Sequence, residues 1–180
     1  MFDSAHYEVR QRFGIGTKYT VYEGDGDTPI LTAKKKKLKL KEDFRFTTPD
    51  GEEAFRVRAD SVLDIAAAYD IVDSRTGERV GSVKREVASL FKHEYTLLDA
   101  DGAPVAVLRE DNHLMAALRR LVTTLIPFSY DIVTPAGEKV GDVGDQFSLR
   151  DKYSIDLTPG TVDPRLVVVG TVVVDAIEGN

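Results

Sequence analysis

Six lysines fall between Lys34 and Lys41, in the run KKKKLKLK, the densest cluster of charge in the 180-residue chain. Lys35, Lys37, Lys39 and Lys41 alternate with Lys36, Leu38 and Leu40. That is the period of a strand, so four ammonium groups would share one face and Leu38 and Leu40 the other. Such a row can hold anions, and beside an anionic bilayer each lysine contributes ~1 kcal/mol before screening. These four are the candidate lipid- or anion-binding residues. The same pattern also suits a solvated outer strand, where lysines discourage edge pairing.

Other residue types offer little chemistry. The histidines, His6, His93 and His113, are far apart, and none stands in a metal-binding spacing such as H-E-x-x-H. The chain has no cysteine, which removes disulfides, thiol catalysis and cysteine-based metal sites together. Asp25 with Asp27, and Asp142 with Asp145, sit beside glycines, where turn chemistry accounts for them and the twelve-residue calcium loop is missing. Gly24-Asp25-Gly26 lacks the Lys-Ser or Lys-Thr of a phosphate loop. No nucleophile, tuned base, metal or cofactor site can be nominated, and a non-enzymatic protein is expected. A formal charge of −6 argues against a general nucleic-acid binder.

The elements that must position the lysines are strands. Tyr7 to Phe13 and Lys18 to Glu23 flank the turn Gly14-Ile15-Gly16 and read as a hairpin; after the turn Gly24 to Pro29, a third run spans Ile30 to Lys41. From Phe44 a unit then recurs at Phe44–Arg58, Tyr69–Glu86, Tyr95–Glu110 and Tyr130–Asp145. Each starts on an aromatic residue, and a glycine (Gly51, Gly77, Gly102, Gly137) follows seven or eight positions later. The unit is a β-hairpin used repeatedly. The longer third interval holds Asp111 to Ile126, where Leu114, Leu118, Leu121, Val122 and Leu125 recur at helical spacing before Pro127, predicting an outer amphipathic helix. Gln146 to Thr158 reads as a last hairpin.

Asp163 to Ile177 (DPRLVVVGTVVVDAI) opens with an N-cap residue and a proline at the first helical position. As a helix it spans about 22 Å, whereas as one strand it would run to roughly 50 Å, too long for a strand. Leu166 to Val174 has no polar face beyond Gly170 and Thr171, and a helix apolar all round must be buried on every side. About twelve alternating strands can close into a barrel to abolish their edges, and such a barrel is too wide for its own side chains to fill. The helix is the expected plug. The whole, residues 1–180, is expected to be one mainly β domain with a closed antiparallel barrel around a central C-terminal helix.

This chain resembles the LURP-one-related family of the tubby C-terminal-like group, which also includes phospholipid scramblases. The resemblance rests on YTVY at Tyr19 to Tyr22 followed by Gly24 or Gly26, on YDIVDSRTGERVGSVKRE and YTLLDADGAPVAVLRE, on YSIDL at Tyr153 to Leu157, and on the final DPRLVVVGTVVVDAI. It implies a twelve-stranded antiparallel barrel with the C-terminal helix threaded through it. Asp111 to Pro127 departs from the shortest members. Tubby domains bind phosphoinositide headgroups and scramblases are reported to move lipids, yet neither the tubby lipid-site motif nor the scramblase calcium-site motif is evident here.

The leading expectation is therefore a binding or scaffold barrel, with anionic membrane lipid as the partner of Lys35, Lys37, Lys39 and Lys41 and nucleic acid disfavoured. Arg119-Arg120 could join that basic surface. The alternatives are a scramblase-like lipid mover and a small-ligand carrier with a cavity beside the helix. Met1 to Arg10 has no apolar stretch of the signal-peptide kind, and the longest apolar run is about half of a ~20-residue span, so a cytoplasmic protein without a transmembrane segment is expected, peripheral to the membrane if it binds lipid.

Overall fold

The computed structural model describes residues 1–14, 16–35, 44–59, 68–85, 94–110, 129–145 and 152–178. They form twelve strands and a helix, named here β1 (His6–Gly14), β2 (Gly16–Glu23), β3 (Pro29–Lys35), β4 (Phe44–Thr47), β5 (Glu53–Ala59), β6 (Ala68–Asp73), β7 (Arg79–Arg85), β8 (Glu94–Leu98), β9 (Pro104–Glu110), β10 (Tyr130–Val133), β11 (Lys139–Asp145), β12 (Lys152–Leu157) and α1 (Pro164–Glu178). Each strand pairs antiparallel with its sequence neighbours, and β12 returns to β1, with His6 opposite Asp156 and Arg10 opposite Lys152. The sheet is a closed barrel.

Gln146 to Thr158, expected to be a hairpin, supplies the single described strand β12, inserted between β11 and β1. Parity gives the reason. In an up-and-down barrel the first and last strands can pair antiparallel only if the strand count is even, so one strand closes the ring where a hairpin would have set β1 beside a parallel neighbour. The predicted helix at Asp111 to Ile126 lies outside the described residues.

The repeated hairpin has a finer structure than period-two alternation. Gly51, Gly77, Gly102 and Gly137 all have positive φ, between 76° and 87°, a region open to glycine at little cost. Thr48, Asp99 and Thr134 each donate a backbone N–H across the turn, to Glu52, Ala103 and Glu138, at 2.8 to 2.9 Å. Just beyond each turn the ladder slips by one residue, and the β2–β3 hairpin slips in the same way. The extra residues are Ile30, Ala54, Val80, Val105 and Val140. All five are apolar and belong to or pack against the core. Each bulge thus adds an inward side chain and bends its strand, which a closing sheet requires.

Inside lies α1. Asp163 caps it by accepting the Arg165 N–H at 2.9 Å, Pro164 holds the first position, and Leu166 to Ala176 are buried without interruption. The helix approaches β7 most closely, then β8 and β6. Small residues set that approach. A Cβ on Gly170 would lie 3.0 Å from Val83 Cγ2, and one on Gly81 would lie 2.2 Å from the Leu98 carbonyl oxygen and 2.9 Å from Leu166 Cδ1. Elsewhere the interior is filled by aromatic rings: Tyr19 on Phe44, Phe44 on Phe46, and Phe2 on both Tyr7 and Phe55, with centroids 5.0 to 6.1 Å apart. Most outward strand positions are polar and most inward ones apolar, the reverse of a lipid-spanning barrel. No described helix is long and apolar enough to cross a membrane.

Val169 is fully buried at the middle of α1. Val169→Asp places an unpaired carboxylate in the barrel centre at a cost of several kcal/mol, against a total stability of ~5–15 kcal/mol. Loss of the cooperative melting transition is expected by circular dichroism; a wild-type melting curve would contradict the central-helix arrangement.

Candidate functional site

Connectivity makes the two ends of the barrel unlike. The tight turns at 24–28, 48–52, 74–78, 99–103 and 134–138 all lie at one end, where α1 also begins. Phe2 closes this turn end by packing on Tyr7 and Phe55, and the Ser4 N–H donates to Glu23 Oε1 at 3.0 Å. The strand ends that flank residues 15, 36–43, 60–67, 86–93, 111–128 and 146–151 all lie at the opposite end, where α1 terminates.

Charge follows the same division. The turn end carries Asp25, Asp27, Asp50, Glu52, Asp73, Glu78, Asp99, Asp101, Glu138 and Asp163, against Arg75, Arg79, Lys139 and Arg165. The opposite strand ends carry Arg12, Lys18, Lys34, Lys35, Arg58, Lys84, Arg85, Arg109 and Lys152, against Asp70, Glu94, Glu110, Asp131 and Asp145, with Asp175 and Glu178 of α1 ending beside them. A chain of net charge −6 therefore holds a basic end.

It is at this basic end that β3 gives way to the rest of the lysine run. Lys35 is the last residue of β3, opposite Thr17. Leu31 and Ala33 are buried on the inward face, and Lys35 shares their parity while Lys34 points outward and is exposed. Lys35 is half-buried; desolvation lowers its ammonium pKa, and attraction to the Asp175 carboxylate on α1 opposes that shift. Of the four sequence-predicted lysines it alone falls among the described residues, since Lys37, Lys39 and Lys41 lie outside them.

Asp175 belongs to a polar cluster at the C-terminal turn of α1 that sequence inspection does not reveal. Gln11 of β1 donates to Asp175. One turn on, Glu178 accepts from Tyr95 Oη of β8 at 2.8 Å and from Tyr130 Oη of β10 at 2.7 Å, so one carboxylate ties the helix end to two strands. Both phenol pKa values are pushed up, chiefly by burial and then by the Glu178 charge.

Catalytic geometry is not assembled among the described residues. His6 Nδ1 lies 2.6 Å from Asp156 Oδ1, but Ser4 Oγ accepts the His6 backbone N–H at 3.1 Å. Asp27 pairs with Arg10 at 3.2 Å, and Asp142 lies 3.5 Å from Lys139, so these turn carboxylates serve ion pairs. A cleft of about 320 Å³ lies at the start of α1, between Arg79, Val80, Val105, Val162, Arg165 and Leu166. Its two guanidinium groups are already engaged, Arg79 with Asp70 at 2.9 Å and the Ala100 carbonyl at 2.8 Å, and Arg165 with Asp163 at 2.6 Å.

The family pattern described as LURP-one-related matches residues 29–175. Among solved structures, the X-ray structure of a protein from Arabidopsis thaliana superposes with a TM-score of 0.59 at 10% identity, covering 98% of this chain and 94% of that one. At that identity the likeness concerns the fold. No curated protein matches.

The buried phenols set the alkaline limit of the fold. Burial raises Tyr7 to about 12, and raises Tyr19, Tyr95 and Tyr130 as well. The unfolded chain ionises its tyrosines near pH ~10. The stabilisation is fully present below that value and is lost as pH rises towards the folded values, because the folded state then binds more protons than the unfolded one. Absorbance at 295 nm is expected to show these four phenols ionising together with cooperative unfolding above pH ~10, and independent titration of Tyr95 and Tyr130 at ordinary values would contradict their burial.

Proposed function

The chain belongs to the LURP-one-related family, and we propose that it is a non-enzymatic binding barrel whose basic end contacts anionic phospholipid headgroups through the lysine-rich segment that follows β3 in sequence, at Lys37, Lys39 and Lys41, together with Lys35 at the end of that strand. The observation that carries this reading is the separation of charge along the barrel axis, with basic strand ends at the mouth from which the lysine run departs and acidic turns at the other. Such a charge distribution orients a protein before contact, turning the basic end towards a negative surface and the acidic end away from it. The protein is then cytoplasmic and peripheral, held reversibly.

Two other readings have less support. A scramblase-like activity needs a path for lipid through a bilayer, whereas the strongly apolar helix spans ~22 Å and is enclosed by strands. A small-ligand carrier would use the cleft at the start of α1, whose arginines are already bonded within the protein.

Co-sedimentation with vesicles tests the proposal. The wild-type protein is expected to sediment with phosphatidylserine-containing vesicles at low salt, to stay in solution with neutral ones, and to be released as added salt screens the ammonium groups. Lys37→Glu, Lys39→Glu and Lys41→Glu together should weaken the association by at least about a hundredfold, at ~1 kcal/mol per lysine. Lys35 is left in place because it faces Asp175. Equal binding of the triple variant, or binding by neither protein, counts against the reading.

A further inference from the structure

Many cations on the outer face are matched with acids. Arg109 meets Glu94 at 3.0 Å, Arg79 meets Asp70 at 2.9 Å, Lys139 meets Asp131 at 2.6 Å, Arg56 meets Glu53 at 2.8 Å, and Lys152 and Arg10 both meet Glu8. One row sets three cations side by side instead. Arg12 of β1 stands directly opposite Lys18 of β2, and Lys18 directly opposite Lys34 of β3. All three are exposed, and among the described residues none of their side chains makes an ion pair or hydrogen bond. Cross-strand neighbours lie only ~4.5–5.5 Å apart, and like charges placed so are destabilising. On the other face of the same hairpin, Phe13 stands opposite Thr17 and is 63% exposed, more than any other large apolar side chain among the described residues.

We propose that this hairpin is a membrane-inserting contact, in which Phe13 enters the interfacial region of an anionic bilayer while Arg12, Lys18 and Lys34 engage lipid phosphates around it. The proposal rests on the lipid-binding reading above and deepens it by adding residues of β1 and β2. Charge complementarity selects the partner. A bilayer accepts apolar and cationic groups of one hairpin at different depths, since long basic side chains reach back to the headgroups while the ring stays among the acyl chains. The row also sits at the basic end, so the orientation that brings the lysine run to the surface brings Phe13 with it. The unrelieved repulsion in the free protein is then relieved on binding, when phosphates fall between the three cations.

The chain contains no tryptophan, so Phe13→Trp creates a unique fluorophore at the tip. Vesicles of phosphatidylcholine with phosphatidylserine are expected to shift the emission of this indole to the blue and to expose it to quenching by brominated lipid, and pure phosphatidylcholine to do neither. Replacing Arg12, Lys18 and Lys34 together by serine should weaken that binding about a hundredfold, at roughly tenfold or less per cation, with a melting temperature at or above that of the parent. If the wild type binds and Lys37→Glu, Lys39→Glu and Lys41→Glu abolish binding, while the indole stays unquenched and the serine variant keeps full affinity, this inference falls and the lipid-binding reading stands. If no anionic vesicle binds the wild type, both fall. Preferential binding of the row to single-stranded RNA would overturn the membrane assignment.

Discussion

A helix with no polar side cannot meet water anywhere, and that constraint governs the rest of the molecule. Leu166, Val167, Val168, Val169, Val172, Val173 and Val174 are all buried. At ~1.5–3 kcal/mol for each fully buried side chain, their gross contribution is on the order of the net stability of a whole domain. Neither part is then dispensable. The ring must have more strands than one that fills itself, it must bend at regular intervals, and it must present small residues where the helix lies close. The five bulges meet the second demand; Gly81 facing Leu166, and Gly170 facing Val83 and Leu97, meet the third. Aromatic rings fill the space that remains on the side of β1, β2, β4 and β5.

The same architecture separates structural from recognition duties. Five tight turns, each with a glycine at positive φ, gather at one end, where their backbone demands leave little freedom. Strand ends at the other carry most of the described unmatched positive charge. Axial charge separation of this kind is independent of any single pocket, which fits a barrel whose interior is occupied by its own helix and whose binding is proposed to occur at a rim.

Much of the fold is written locally. Gly51, Gly77, Gly102 and Gly137 mark turns because positive φ requires them, and the C-terminal helix follows from a cap, a proline and a length no strand can take. What resists reading depends on register or on distant pairing. Ile30, Ala54, Val80, Val105 and Val140 look like ordinary members of alternating strands, and only the slipped ladder reveals each as an insertion; a recurring apolar residue directly before Leu31, Phe55, Gly81, Ala106 and Gly141 is the available signal. Lys35 belongs by spacing to an even lysine row, yet the burial of Leu31 and Ala33 places it on the inward side. The polar knot around Glu178 joins residues 83 and 48 positions apart in sequence. The row Arg12, Lys18 and Lys34 exists only once three strands are in register. In the sequence it is three separate surface cations.

Closure of the ring by β12 against β1 carries a consequence for biosynthesis. During synthesis the hairpins emerge one after another, each able to form its own turn, but every one of them has an apolar face with nothing to cover it. The strand that seals the cylinder and the helix that fills it are the last described elements to be made. The hairpins therefore keep an uncovered, adhesive face until translation has passed residue 178, the kind of surface that chaperones shield.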